Sequence, residues 1–257
     1  MASQLQLDLA ALDRRALLGG LAAGLGGAVL AACGSRAGAQ AAVSCPATPT
    51  ETRGPFPGDG SNGRPRPINV FEMAGLIRRD IRPSFAGMDG RAEGVPLELE
   101  LSLVGSACEA LTGLAVYLWQ NDAAGDYSLY DRADVNYLRG MQVASDGRLH
   151  FTLIVPGCYG GRYPHCHFEV FGSSAEAMRG AAPRLVSQLA FPEAECRAIY
   201  RNDSRYGESL RNLERLPIER DFVFADADAA GRARQTIALT GDPRAGYRGT
   251  ATIALRG

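Results

Sequence analysis

The chain has 257 residues, of which 46% are hydrophobic and 21% are charged, a composition typical of a globular protein that buries a core. Its 27 basic residues nearly balance 28 acidic ones, for a net charge of -1, so the sequence lacks the basic footprint that nucleic acid requires. Every basic residue is arginine, and the absence of lysine excludes Schiff-base chemistry, pyridoxal phosphate attachment and a phosphate loop that ends in lysine.

Residues 1–32 are interpreted as an export signal. Arg14 and Arg15 precede an apolar stretch of Ala, Leu, Gly and Val, residues 16–32, which resembles a twin-arginine signal. The stretch runs into Cys33 through the sequence LAAC, which resembles a bacterial lipobox, where the cysteine carries the lipid. Cleavage after Ala39 is the alternative. We therefore expect an exported protein that is periplasmic or anchored to a membrane through Cys33.

Residues 33–70 are rich in Pro, Gly, Ser and Thr, and this composition predicts an extended arm over the surface of a single catalytic domain, residues 71–257. An oxidising compartment favours one or two disulfides. Cys45 in the arm and Cys108 in a turn are the favoured pair, although connectivity does not follow from sequence alone. Cys166 is expected to stay reduced.

Seven segments have the pattern of β-strands. In the first, four leucines between Leu97 and Leu103 alternate with polar residues, as in a strand with one buried face. The other six are runs bounded by turn residues: 113–119, 148–155, 165–171, 221–224, 235–239 and 250–255. A short helix is expected at 174–179 and a polar excursion at 205–215. This spacing predicts an all-β fold, an antiparallel β-sandwich with extended loops and little helix.

A candidate metal site lies around two of the three histidines. His165 and His167 are two residues apart, so in a strand both imidazoles lie on one face and Cys166 lies on the other. Glycines on either side of Tyr159 would let the chain turn and bring that phenol back towards the histidines. His150 belongs to a different strand and is assigned to its polar face. A bare H-x-H can equally be a pair of hydrogen-bonded surface histidines, but phenolate oxygen beside imidazole favours ferric iron.

At several ordered motifs between Thr48 and Phe224 the sequence resembles the intradiol ring-cleavage dioxygenases, the group that contains catechol and protocatechuate dioxygenases. The matching motifs are TRGPF at 52–56, GVPL at 94–97, VYLWQNDAAGDYS at 116–128, YLRG at 137–140, the run from Pro156 to Phe168, and SQLAFP at 187–192. Residues 40–90 are rich in Pro and Gly and too short for the helical dimerisation region of the catechol-type branch, so the resemblance is to a stand-alone catalytic core. Several residues depart from the family pattern, among them Cys158, where a bulky aromatic residue is common. Arg53 stands where the family usually has Glu, and Gln120 stands where it has His.

The resemblance implies a non-haem Fe(III) dioxygenase with a β-sandwich core. Tyr127 would be the axial phenolate ligand, Tyr159 the equatorial one, and His165 and His167 the imidazole ligands. Arg162 and Gln188 match residues that lie beside the ring being cleaved. The implied partners are a small aromatic diol and O2, and the implied product is a cis,cis-muconate-type diacid. The phenolate of Tyr127, displaced by the diol, would act as a base, and the permanent charge of Arg162 would stabilise negative charge on the ring.

Two other classes of protein stay open from the residues alone. One is an exported zinc or copper protein that uses His165, His167 and Cys158. The other is a noncatalytic cell-surface β-sandwich that binds a carbohydrate or a partner. The identity of the catechol derivative does not follow from the sequence, because loops form the walls of the pocket.

Overall fold

The computed structural model describes residues 44–62 and 68–256. The predicted export signal, the twin arginines and Cys33 lie outside these residues. None of the helices among the described residues has the length and apolar character needed to cross a membrane. The described residues form eight strands: β1 (Pro96–Val104), β2 (Ala115–Trp119), β3 (Arg139–Val143), β4 (Arg148–Ile154), β5 (His165–Phe171), β6 (Leu185–Ala190), β7 (Ala238–Asp242) and β8 (Gly246–Ala254).

Among the described residues, four short α-helices accompany the strands: α1 (Ser174–Met178), α2 (Glu193–Asn202), α3 (Ser209–Arg215) and α4 (Ala229–Arg234). Helix α1 confirms the short helix expected at 174–179. The expected polar excursion at 205–215 is wrong, because α3 occupies most of it. Leu213 in α3 is buried in the core and Leu210 packs against it, and this contact stabilises a helix whose other residues are polar.

The strands form two four-stranded sheets, with the orders β4-β1-β8-β7 and β3-β2-β5-β6. This architecture confirms the predicted β-sandwich. One pair departs from the antiparallel prediction, since β1 and β8 run parallel, with Leu97 opposite Tyr247 and Val104 opposite Ala254. These two strands are separated by almost the whole domain, so no hairpin connection forces them into antiparallel order.

Six of the seven predicted strand segments overlap a strand, and the segment 221–224 does not. There the carboxylate of Asp221 accepts a hydrogen bond from the backbone N–H of Val223, and its carbonyl accepts from Phe224 and Ala225, which closes a turn. The segment 235–239 becomes β7 only from Ala238 onward. Strands β3 and β6 were not among the seven predicted segments.

The two faces of the second sheet have different roles. In β2, Val116 and Leu118 pack into the main core shared with the leucines of β1. Tyr117 and Trp119 point the other way, into a second apolar cluster that includes Phe56 of the arm. All five residues of β2 are therefore buried, because one face meets the other sheet and the opposite face is covered by the arm and by loops.

Two cysteine predictions can be compared with the described residues. Cys45 and Cys108 form a disulfide, with Cα atoms 5.1 Å apart, as favoured from the sequence. Cys166 is reduced and fully buried on the core face of β5, also as expected. Cys158 and Cys196 are also reduced and buried.

Candidate metal centre

Strand β5 carries the two candidate histidine ligands on its outer face. His165 pairs with Ala190 of β6, and His167 lies between Gln188 of β6 and Trp119 of β2. Both histidine side chains are almost fully buried. The indole of Trp119 stacks on the imidazole of His167, with ring centroids 5.0 Å apart and an angle of 6° between the planes. The strand period and this stack orient the His167 ring.

Two loops that dock on each other bring the candidate phenol ligands to the histidines. Tyr127 lies in the loop between β2 and β3, and Tyr159 lies in the loop between β4 and β5. The N–H of Gly157 donates to the carbonyl of Asp122, 2.9 Å away, which ties one loop to the other. A Cβ added at Gly157 would lie 2.5 Å from a backbone carbonyl oxygen, so the close approach of the two loops requires glycine there.

Four polar atoms from these residues converge in one buried place. The Tyr127 Oη lies 3.1 Å from Nε2 of His167 and 3.4 Å from Nε2 of His165. The Tyr159 Oη lies 3.5 Å from Nε2 of His165, and the two Nε2 atoms are 3.0 Å apart. Two phenol oxygens and two imidazole nitrogens thus face one another. The third histidine, His150, is half-exposed on the other sheet near Glu100, as its assignment to a polar face predicted.

The hydrogen bonds of His165 determine which of its nitrogens faces the site. Its Nδ1 lies 2.6 Å from the carbonyl oxygen of Tyr163 and therefore donates a proton to it. Burial and the adjacent Arg162 guanidinium hold the pKa of His165 well below its usual range, so the ring is neutral. Its Nε2 consequently presents a lone pair to the other three atoms. Burial, followed by His165 and Arg162, lowers the pKa of His167 as well.

The described side chains fit a metal ion at this point. A metal-binding histidine commonly donates its second ring nitrogen to a carbonyl, which is the arrangement of His165. The Nδ1 of His167 has no hydrogen-bond partner among the described residues, so this ring is oriented by the Trp119 stack and by the contacts of its Nε2. Within the described ranges no group of three or more His, Cys, Asp or Glu side chains could hold a metal. The donors that lie beside the two imidazoles are the phenol oxygens of Tyr127 and Tyr159, and phenolate oxygen favours ferric iron.

That finding also bears on the zinc or copper alternative, which needs His165, His167 and Cys158 together. The thiol of Cys158 donates to the carbonyl of Arg162 and packs into the main core. Burial raises the pKa of this thiol, which disfavours the thiolate that a metal would bind. Cys158 therefore does not complete a site with the two histidines.

A buried guanidinium lies against the four converging atoms. The Arg162 Nη1 is 3.2 Å from Nε2 of His165, and its Nη2 donates to Oε1 of Gln188 at 2.6 Å. The Arg162 Nε donates to Asp221 at 2.9 Å, and the same carboxylate accepts the N–H of Tyr163 at 2.7 Å. Arg162, Gln188 and Asp221 are all fully buried. The guanidinium is held in one orientation by an anion on one side and an amide on the other.

The structure brings all six sequence-predicted site residues into this one place, but sequence reasoning missed Asp221. The pattern of the segment that contains Asp221 predicts a strand, and no local pattern marks one aspartate as the partner of an arginine 59 residues away. Trp119 packs on a candidate ligand, the imidazole of His167. Two departures from the family pattern also have partners: Gln120 donates to the carbonyl of Ile154, and Arg53 donates to Glu169.

No protein-family model and no curated protein matches the chain. Solved structures do. An intradiol ring-cleavage dioxygenase from Tetranychus urticae superposes with a TM-score of 0.60 at 22% identity, over 82% of this chain and 95% of that one. A second dioxygenase structure gives a TM-score of 0.61 at 23% identity, with the same coverage. The dioxygenase domain of a dioxygenase carbohydrate-binding fusion from Streptomyces sp. SirexAA-E gives 0.50 at 24%, over 82% and 99%. The chain therefore has the fold of the intradiol ring-cleavage dioxygenases.

Proposed function

We propose that this protein is a non-haem Fe(III)-dependent intradiol dioxygenase, which uses O2 to cleave a catechol-type ring to a cis,cis-muconate-type diacid. The observation that carries the proposal is the convergence of two phenol oxygens and two imidazole nitrogens, each within 3.5 Å of a neighbour, in a buried place. The fold shared with dioxygenases supports it.

The proposed ligands are Tyr127, Tyr159, His165 and His167. Ferric iron bound by them would hold both oxygens of the diol and draw electron density from the ring, so that the ring becomes reactive towards O2. Neutral imidazoles and anionic phenolates suit this ion, since together they offset most of its charge. The stacked Trp119 keeps water from one side of His167.

The remaining chemistry belongs to side chains of this chain. Tyr127 is the proposed base, because its Oη lies at the centre of the site and can accept the proton of a diol hydroxyl. Arg162 places a permanent positive charge beside the ring that is cleaved, where negative charge develops. Gln188 and Asp221 hold that charge in position through the hydrogen bonds described above.

A visible spectrum taken during iron loading tests the proposal. Titration of metal-free protein with Fe(III) should produce a tyrosinate-to-iron charge-transfer band that saturates at one iron per chain, and Zn(II) should produce none. With catechol, the loaded enzyme should consume one O2 per ring opened. Tyr159→Phe should lose most of the band and of the activity. A colourless protein that binds iron, or a coloured one that opens no diol ring, would contradict the proposal.

We also propose that the enzyme is exported and held at a membrane through a lipid on Cys33. An iron site assembled from distant residues forms only in folded protein, and a twin-arginine route carries folded proteins. Replacement of both Arg14 and Arg15 by Lys should leave active, iron-loaded enzyme in the cytoplasm, and Cys33→Ser should give unlipidated protein. Efficient export of the double-lysine variant in a fractionation experiment would reject the twin-arginine route and leave the catalytic proposal intact.

A further inference from the structure

Strand β5 carries a third buried polar side chain on the same face as the two histidines. Glu169 lies two residues after His167, between Tyr117 of β2 and Val186 of β6. Its side chain is fully buried. A carboxylate in this position, beneath an apolar cluster, needs a positively charged or hydrogen-bonding partner to offset its lost hydration.

That partner comes from the arm. The Arg53 Nε donates to Glu169 Oε1 at 2.8 Å, and Asp59 lies 3.6 Å from the same nitrogen. The Arg53 side chain is 34% exposed, so it reaches from the surface down to the strand. A glutamate at position 53, the usual family residue, would bring three carboxylates together here. The positive charge of Arg53 therefore complements the buried carboxylate of Glu169.

The residue before Arg53 extends this contact to the candidate metal centre. The carbonyl of Thr52 accepts a hydrogen bond from Gln188 Nε2 at 2.7 Å. Gln188 uses its other amide atom, Oε1, to accept from Arg162. Arg162 in turn lies against His165, which returns the path to β5. These contacts form a continuous network of polar interactions that begins at Glu169 and ends at His165, both in strand β5.

From this network we infer that the Arg53–Glu169 ion pair positions Gln188 and Arg162 in the active site. The pair fixes the arm so that the Thr52 carbonyl orients Gln188, and Gln188 orients Arg162 towards the ring to be cleaved. Arg53 and Glu169 are thus positioning residues that act through Gln188 and Arg162. The inference rests on the proposed function for its kinetic readout, whereas the placement of the arm can be measured without activity.

The experiment exchanges the two charges in the full-length, iron-loaded protein. The variants are Arg53→Glu, Glu169→Lys and the double variant, with Arg79→Glu as the matched control, since the Arg79–Glu98 pair is exposed on the other sheet. We expect each single substitution to lower kcat per bound iron about 10- to 100-fold, the usual loss when a residue that supports a metal site is removed. KM should change less, because Arg162 acts on charge that develops during the reaction. The double variant should recover most of the loss, and the control should match the wild type.

The rate of amide hydrogen exchange in the peptide 50–58 measures directly how firmly the arm is held in place. It should accelerate at least about 10-fold in each single variant, as expected when a local contact is lost, and slow again in the double variant. Iron content should stay constant, because none of the four ligands is altered. A loss of kcat that follows iron content or thermal stability alone would indicate a merely structural role and overturn the inference.

A gentler variant than Glu169→Lys tests the inference if the larger side chain prevents folding. Glu169→Gln keeps the shape and removes the charge, and it should show the same faster exchange at 50–58 and the same fall in kcat per iron. The inference would be overturned if peptide 50–58 of Glu169→Gln exchanged its amide hydrogens at the wild-type rate. It would also be overturned if kcat per iron of the double variant were no higher than that of the worse single variant. Should the wild type open no diol ring at all, the proposed function fails, while the exchange data still decide whether the pair holds the arm.

Discussion

The groups around each imidazole distinguish the two candidate ligands, His165 and His167, from His150. The first two face each other and two phenols in a buried site, whereas His150 is half-exposed beside Glu100. We expect His165→Ala or His167→Ala to abolish iron retention, and His150→Ala to leave it largely intact. Metal analysis of the purified variants checks this, and full iron in His165→Ala would contradict the proposed ligand set.

Asp221 is the counter-ion of the buried Arg162 guanidinium, and its removal should be costly. Asp221→Asn keeps the volume and some hydrogen bonds but leaves a fully buried cation without its anion. Loss of one partner of a buried pair destabilises proteins by about 3–5 kcal/mol. Glu208→Gln is the control, since its pair with Arg211 is exposed and should contribute at most about 1 kcal/mol. Urea unfolding of both variants measures the difference, and equal losses would refute the assignment.

Glu51 is expected to make the stability depend on pH. Burial, with smaller contributions from Asp226 and Asp221, raises the pKa of this carboxyl from 4.5 to about 7, although Gln235 and Arg162 oppose the rise. The folded state then binds a proton more tightly than the unfolded state, so the free energy of unfolding should fall as pH rises from about 4.5 to about 7. Glu51→Gln should flatten the curve in this window. Chemical unfolding at several pH values measures it, and parallel curves for wild type and variant would contradict the assignment.

At the scale of elements, helix α3 supports the loop that carries Tyr159. The hydroxyl of Ser209 accepts the N–H of Cys158 at 2.9 Å, and the Asn212 amide donates to the carbonyl of the same residue at 2.8 Å. The helix therefore holds both backbone groups of the residue that precedes a candidate ligand. The composition of this segment predicts only a polar excursion, whereas the contact shows that it supports the Tyr159 loop.

We expect the double variant Ser209→Ala and Asn212→Ala to shift or broaden the charge-transfer band and to lower kcat several-fold, because the Tyr159 phenol would lose its fixed position. Iron content should change little, since all four proposed ligands are retained. Asn202→Ala is a suitable control, because its amide bonds only within its own exposed helix turn. An unchanged spectrum in the double variant would show that α3 does not position Tyr159.

At the scale of the whole molecule, the disulfide ties the arm to the end of β1 and closes a loop of 63 residues. A loop of this length restricts the unfolded chain enough to stabilise the fold by about 4 kcal/mol in the chain-entropy model. Replacement of Cys45 and Cys108 by Ala should lower the unfolding free energy by up to that amount and leave kcat per iron unchanged. Thermal and urea unfolding measure the loss. A large fall in kcat per iron would mean that the disulfide also holds the site.

The period of the sequence by itself determined which face of a strand each side chain occupies. The alternating leucines of β1 and the two-residue spacing of His165 and His167 assign side chains to faces, because a strand has a period of two wherever it lies. The ordered motifs indicated the fold and the six candidate site residues, and the position of Cys166 followed from the same alternation.

Only the tertiary structure decided which distant surfaces meet. The parallel pairing of β1 with β8, the ion pair of Asp221 with Arg162 and the contact of Arg53 with Glu169 join residues that no local pattern relates. The register of packed sheets and loops selects these partners, and that selection depends on the burial of the whole chain rather than on the sequence near any one residue.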